Sequence, residues 1–139
     1  MAAKQKIVKE PMAPIGVWAL PVFLSWIIPG GGHFFLKRRG RALLLLASVA
    51  LMFLAGLFMR GAMFKPQSGD LLTTLINYGG FLSDLATGSL YLLATTMGYS
   101  QQDLAGHVHD YGTKFLVTAG LLNVLAMVDA YEIAAGRKN

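Results

Sequence analysis

The chain has no cysteine, which removes disulfides, thiolate catalysis and cysteine-held metals from consideration. It is also poor in charge. Asp, Glu, Lys and Arg make up 14% of the residues, against about 25% in an ordinary soluble domain. So few charged groups cannot clothe a surface in water. Acidic groups are the scarcer kind, seven against twelve basic ones, for a net charge of +5. That excess does not point to nucleic acid. The cations flank apolar runs instead of lining one face, so no nucleic-acid partner is expected. Strand signals, internal repeats and low-complexity tracts are missing. So are a P-loop and a dinucleotide fingerprint, because the glycines of Pro29-Gly30-Gly31-Gly32-His33 follow an apolar segment and not a strand.

What remains is apolar segments with charge gathered at their ends, the pattern of a membrane protein. The length of 139 residues predicts one domain. Residues 1–13 form a basic tail carrying Lys4, Lys6 and Lys9, suited to anionic headgroups. The following apolar run, 14–29, is broken by Pro21 and ends in Pro29-Gly30 without a small-x-small cleavage pattern, so an uncleaved anchor is expected. As a helix it reaches only about 24 Å, short of a hydrocarbon core of about 30 Å. It therefore extends through Phe34 and Phe35, thins the bilayer, or is re-entrant.

The stretch from Pro29 to Arg41 switches abruptly from apolar to basic. Gly30, Gly31 and Gly32 read as a hinge, and Lys37, Arg38, Arg39 and Arg41 as a loop facing anionic lipid or an acidic partner surface. Residues 42–59 have no charged side chain and form the clearest transmembrane helix. Residues 71–99 carry a polar stripe at helical spacing, Thr73, Asn77, Gly80, Asp84, Thr87, Tyr91 and Thr95, and either span or lie flat; spanning is preferred because Asp84 is the stripe's one charge. Residues 100–111 read as a polar loop. Residues 112–135 read as the last helix, with Gly112, Ala119, Asn123, Ala126, Ala130 and Ala134 on one close-packing face. The expected fold is all-α: a multi-pass bundle of about four transmembrane helices in the cell inner membrane, with a glycine hinge after the first.

Four spans leave orientation open. Seven cations (Lys4, Lys6, Lys9, Arg60, Lys65, Arg137, Lys138) fall on one side and five (Lys37, Arg38, Arg39, Arg41, Lys114) on the other, too even a split for the positive-inside rule. Four spans also place Asp103 and Asp110 beside Arg38, Arg39 and Arg41, where loop-to-loop ion pairs would join the hairpins.

The run Ile27-Ile-Pro-Gly-Gly-Gly-His-Phe-Phe-Leu-Lys-Arg-Arg-Gly-Arg41 resembles the hairpin signature of the two-transmembrane-helix domain family and related small bacterial Pro-Gly-x-Gly-His membrane proteins. Asn123-Val-Leu-Ala-Met-Val-Asp-Ala-Tyr131 is similar to that family's helix-embedded aspartate. The resemblance covers about thirty residues in two blocks, with an inserted hairpin between them. It implies a membrane hairpin with a cytoplasmic basic loop and no catalytic activity.

Asp84 and Asp129 are the leading site candidates, because a carboxylate at the centre of a span costs about 2.5–3.5 kcal/mol to insert. Asn123 is placed to hydrogen-bond Asp84, and with Asn77, Ser83, Thr87 and Tyr91 they form either interhelical polar glue or an ion path. His33, His107, His109 and Asp110 have donor types suited to zinc or copper, but His-x-His in a loop has no fixed geometry, so no metal and no other cofactor is expected. Ser25 and Ser48 have no base nearby in sequence, and catalysis is not expected. The leading expectation is a non-enzymatic accessory or scaffold subunit of a larger membrane assembly, held by lipids and by other subunits or self-association. The alternative is a small oligomeric proton or ion conductor using Asp84 and Asn123.

Overall fold

The computed structural model describes residues 11–99 and 107–138. The described residues are helical with no strand: α1 (Ile15–Ile27), α2 (Gly31–Phe35), α3 (Arg39–Phe58), α4 (Leu71–Leu85), α5 (Ser89–Thr96) and α6 (His107–Ala134). Two of them, α3 and α6, are long and apolar enough to cross a membrane. Asp103, like the basic tail through Glu10, lies outside the described residues.

The longest helix, α6, serves as a ruler at about 1.5 Å per residue. Near its start, Gly112 packs against Gly61 and Gly56. Near its end, Asp129 meets Arg41. So α3 runs antiparallel to α6. Along α3, Val49 and Phe53 are buried with Leu116 and Ala119, Gly56 lies against Leu116, and Ala42 is buried beside Gly30. Of the expected small face of α6, Gly112, Ala119, Asn123, Ala126 and Ala130 are buried, with Leu116 and Gly120 added, while Ala134 is only half-buried. Small residues there let the backbones approach closely enough for dispersion to hold them.

The remaining segments do not run the length of that pair. α1 starts at the far end of α6, where the rings of Trp18 and Tyr131 meet edge to face, centroids 5.3 Å apart. Its thirteen residues carry it about 20 Å. The chain then turns at Pro29-Gly30 and comes back as α2, which lies on α1 with Gly32 against the Pro21 carbonyl and the Ser25 hydroxyl. The expected hinge is thus itself a short helix, closed by the Gly32 amide donating to Ser25 Oγ at 3.1 Å. It ends at Phe35, and Lys37, at φ 62°, turns the chain into α3.

The polar stripe at 71–99 does not form one helix. α4 ends at Leu85, and Thr87 and Gly88 turn the chain into the shorter α5. Two features mark the break. Thr87 Oγ1 donates to the Asp84 carbonyl at 2.7 Å, and Gly88 sits at φ 62°, ψ −115°, a backbone region costly to a side chain. α4 runs parallel to α6, Ser83 touching Gly120 and Ala86 bonded to Asn123. α5 returns to the start of α6, where Tyr99 donates to the Gly61 carbonyl at 2.7 Å. Residues 107–111 also differ from the expected loop, forming the first turns of α6.

The architecture is therefore a hairpin and a long helix, twice over. The α1–α2 hairpin enters from one end of the α3–α6 pair and the α4–α5 hairpin from the other. Their tips meet part-way along α6, near Asn123.

Candidate functional site

Two polar constellations arise from this arrangement. The first is at the hairpin tips. The last carbonyls of α4 have no helical partners of their own, as at any helix end. Here side chains from elsewhere supply donors. Trp26 at the end of α1 donates from Nε1 to the Leu85 carbonyl at 3.0 Å. Asn123 in α6 donates from Nδ2 to the Ala86 carbonyl at 2.7 Å. Asp84 Oδ2 accepts the backbone amide of Phe64 at 2.8 Å. Asp84, Thr87 and Asn123 are all buried, and Asp84 Oδ1 and Asn123 Oδ1 have no hydrogen-bond partner. The expected Asn123–Asp84 bond is not made, because each side chain is engaged by a different backbone group.

Tip packing is close. A Cβ on Gly88 would overlap the Trp26 carbonyl oxygen, and one on Gly120 would overlap the Ser83 carbonyl oxygen. The Trp26 bond is directly testable. Trp26→Phe keeps an aromatic ring and loses the donor; the Leu85 carbonyl retains the Gly88 amide at 3.0 Å, so the cost should be that of one net hydrogen bond, about 0.5–1.5 kcal/mol. Denaturant titration in micelles measures this, and a loss under about 0.3 kcal/mol would show that water replaces the indole.

The second constellation centres on Asp129, near the end of α6. His33 is fully buried and donates from Nε2 to Asp129 Oδ2 at 2.8 Å. Arg41 Nη1 lies 3.5 Å from the same oxygen. Lys138 donates to Asp129 Oδ1. One carboxylate thus joins the returning arm of the first hairpin, the start of α3 and the end of the chain. Lys37, Arg38 and Arg39 are exposed at this end.

Other sequence candidates fall elsewhere. Asn77 donates to the Gln67 carbonyl at 3.3 Å on an exposed loop. Tyr91 in α5 packs edge to face on Phe81. His107, His109 and Asp110 occupy the first turns of α6, with His109 Nδ1 donating to the Arg60 carbonyl at 2.6 Å. From residue 109 to residue 129 the helix rises about 30 Å, so His33 cannot share an ion with His107 and His109. Among the described residues no group of three or more His, Cys, Asp or Glu side chains is placed to hold a metal. The same distance separates Asp110 from Arg41 and rules out the loop-to-loop ion pair expected between them.

Sequence reasoning overlooked the His33–Asp129 pair, although both residues lie in the two blocks singled out as a resemblance. That coincidence was the available signal. Trp26 and Ser25 as backbone ligands left no signal, because in sequence each is one residue of an apolar run.

Residues 20–139 match the model of DUF6677, described as a family of unknown function. The matched family is not the two-transmembrane-helix domain family, so that resemblance is not confirmed. No curated protein and no solved structure matches the chain. The match runs from within α1 to the last residue and takes in both constellations, and the chain belongs to DUF6677.

Proposed function

We propose that this is a multi-pass protein of the cell inner membrane that acts as a non-enzymatic accessory or scaffold subunit of a larger membrane assembly. The observation that carries the reading is how the buried polar groups are used. Trp26, Asn123, Thr87 and Ser25 each bond backbone at a helix end or turn, the usual work of polar residues between membrane helices. Large apolar side chains face outward on several helices, among them Leu20 and Phe23, Leu44 and Leu51, Leu75 and Leu82, Leu121 and Leu125. Such a surface suits lipid and neighbouring subunits.

Purification of the tagged protein from native membranes in mild detergent, followed by mass spectrometry, tests this. One or a few stoichiometric membrane partners are expected. A homo-oligomer alone would sink the subunit reading.

One observation favours a second reading. The unpartnered Oδ1 atoms of Asp84 and Asn123 are the kind of buried acceptor a proton or cation path uses. On that reading the protein alone conducts in liposomes, and Asp84→Asn lowers the flux at least tenfold, about 1.4 kcal/mol in barrier. Equal flux from wild type, Asp84→Asn and empty liposomes would end it.

A further inference from the structure

We infer that the chain crosses the bilayer only twice, through α3 and α6, and that the α1–α2 and α4–α5 hairpins are re-entrant from opposite faces, with the Asp129 end in the cytoplasm. This rests on the membrane reading above and deepens it.

Three observations carry it. First, α1 and α4 have thirteen and fifteen residues, about 20 and 23 Å of helix, and each is followed by a turn that sends the chain back towards the end from which it came. Second, the end of α4 is satisfied by protein groups. The carbonyls of Asp84, Leu85 and Ala86 accept from Thr87 Oγ1, Trp26 Nε1 and Asn123 Nδ2. A helix end at the water surface needs no such ligands. A non-helical turn at membrane depth requires them, because lipid offers no hydrogen bonds.

Third, the hairpins redistribute charge. Lys37, Arg38 and the first turn of α3 lie at the same end as the start of α1 and the end of α6. Of the described residues, that end collects Lys37, Arg38, Arg39, Arg41, Arg137 and Lys138. The other keeps Arg60, Lys65 and Lys114. Among the described residues this is six cations against three, where four spans would give five against four, and the positive-inside rule assigns the richer end to the cytoplasm.

The absence of native cysteine gives a clean test. Single cysteines are placed at Gly40, where a side chain meets open space, and at the exposed positions Gln67, Met97 and Arg137. Intact spheroplasts are then treated with a membrane-impermeant maleimide, before and after permeabilisation. The expected result is labelling of Gln67→Cys and Met97→Cys from outside. Gly40→Cys and Arg137→Cys should label only after permeabilisation. If Gly40→Cys and Arg137→Cys label from opposite sides, or Gln67→Cys and Met97→Cys do, the re-entrant topology is overturned. If both pairs hold together but the sides are exchanged, the orientation is overturned. Alkaline carbonate extraction of the wild-type protein separates the failures. Release into the supernatant defeats the membrane reading and the topology together. Retention with a wrong labelling pattern defeats the topology alone.

Discussion

Gly88→Ala is expected to break the contact between the two hairpins and to cost about 2–6 kcal/mol, a large share of any small domain's stability. Two effects add. The residue is held at φ 62°, ψ −115°, where a side chain is strained by about 1–3 kcal/mol. The new methyl would also overlap the carbonyl oxygen of Trp26, a backbone atom with no rotamer to change. Overpacking of that kind costs about 1–3 kcal/mol more. Relief requires α1 and the α4–α5 turn to separate, which removes the Trp26–Leu85 hydrogen bond. Equilibrium unfolding in micelles, followed by tryptophan fluorescence, reports on this directly. Gly79→Ala is the matched control, since its Cβ meets nothing within 4 Å and it lies inside α4. It should be neutral or stabilising by up to about 1 kcal/mol. Equal stability of the two variants would mean that the tips do not touch.

Removal of the Asp129 carboxylate is expected to have the next largest effect. Asp129→Ala should destabilise by about 2–4 kcal/mol, mostly through His33. The Lys138 and Arg41 side chains are 46% and 42% exposed, so each ion pair contributes under about 1 kcal/mol after solvent screening. His33 is fully buried, and a hydrogen bond to a charged group contributes about 1.5–3 kcal/mol. Asp129→Asn keeps an acceptor and should lose about half as much. The sharper measurement is a double-mutant cycle. His33→Ala and Asp129→Ala should couple by at least about 1 kcal/mol. Additivity within about 0.3 kcal/mol would show the bond to be incidental, and the first hairpin would then be held by packing alone.

These predictions separate what local patterns reveal from what they cannot. The small face of α6 was legible because membrane-helix packing is a property of one helix's own periodicity, and Gly112, Ala119, Asn123, Ala126 and Ala130 recur at that period. The break at Ala86–Gly88 was not legible. Its polar stripe keeps helical spacing straight through the turn from Asp84 to Tyr91, so periodicity argues for one helix. The interruption depends on Thr87 bonding the Asp84 carbonyl and on α1 pressing against Gly88. The pairing of His33 with Asp129 joins residues 96 positions apart, and no spacing rule reaches that far. Asn123 was expected to bond Asp84; its partner is the Ala86 backbone carbonyl, and backbone is invisible to a search for complementary side chains.

By itself, the sequence determined the class: an all-helical chain with long apolar segments, little charge, no cysteine, and polar groups at Asp84 and Asn123 that the helix interfaces must accommodate. Composition and periodicity suffice for that, because burial free energy depends on which atoms leave water and hardly on what they meet. Only the tertiary structure decided that α1 and the 71–99 stretch turn back, that Trp26 caps α4, and that one carboxylate gathers His33, Arg41 and Lys138. Those features depend on direction, through hydrogen bonds and backbone contacts between distant segments, and direction exists only once the helices are placed against each other.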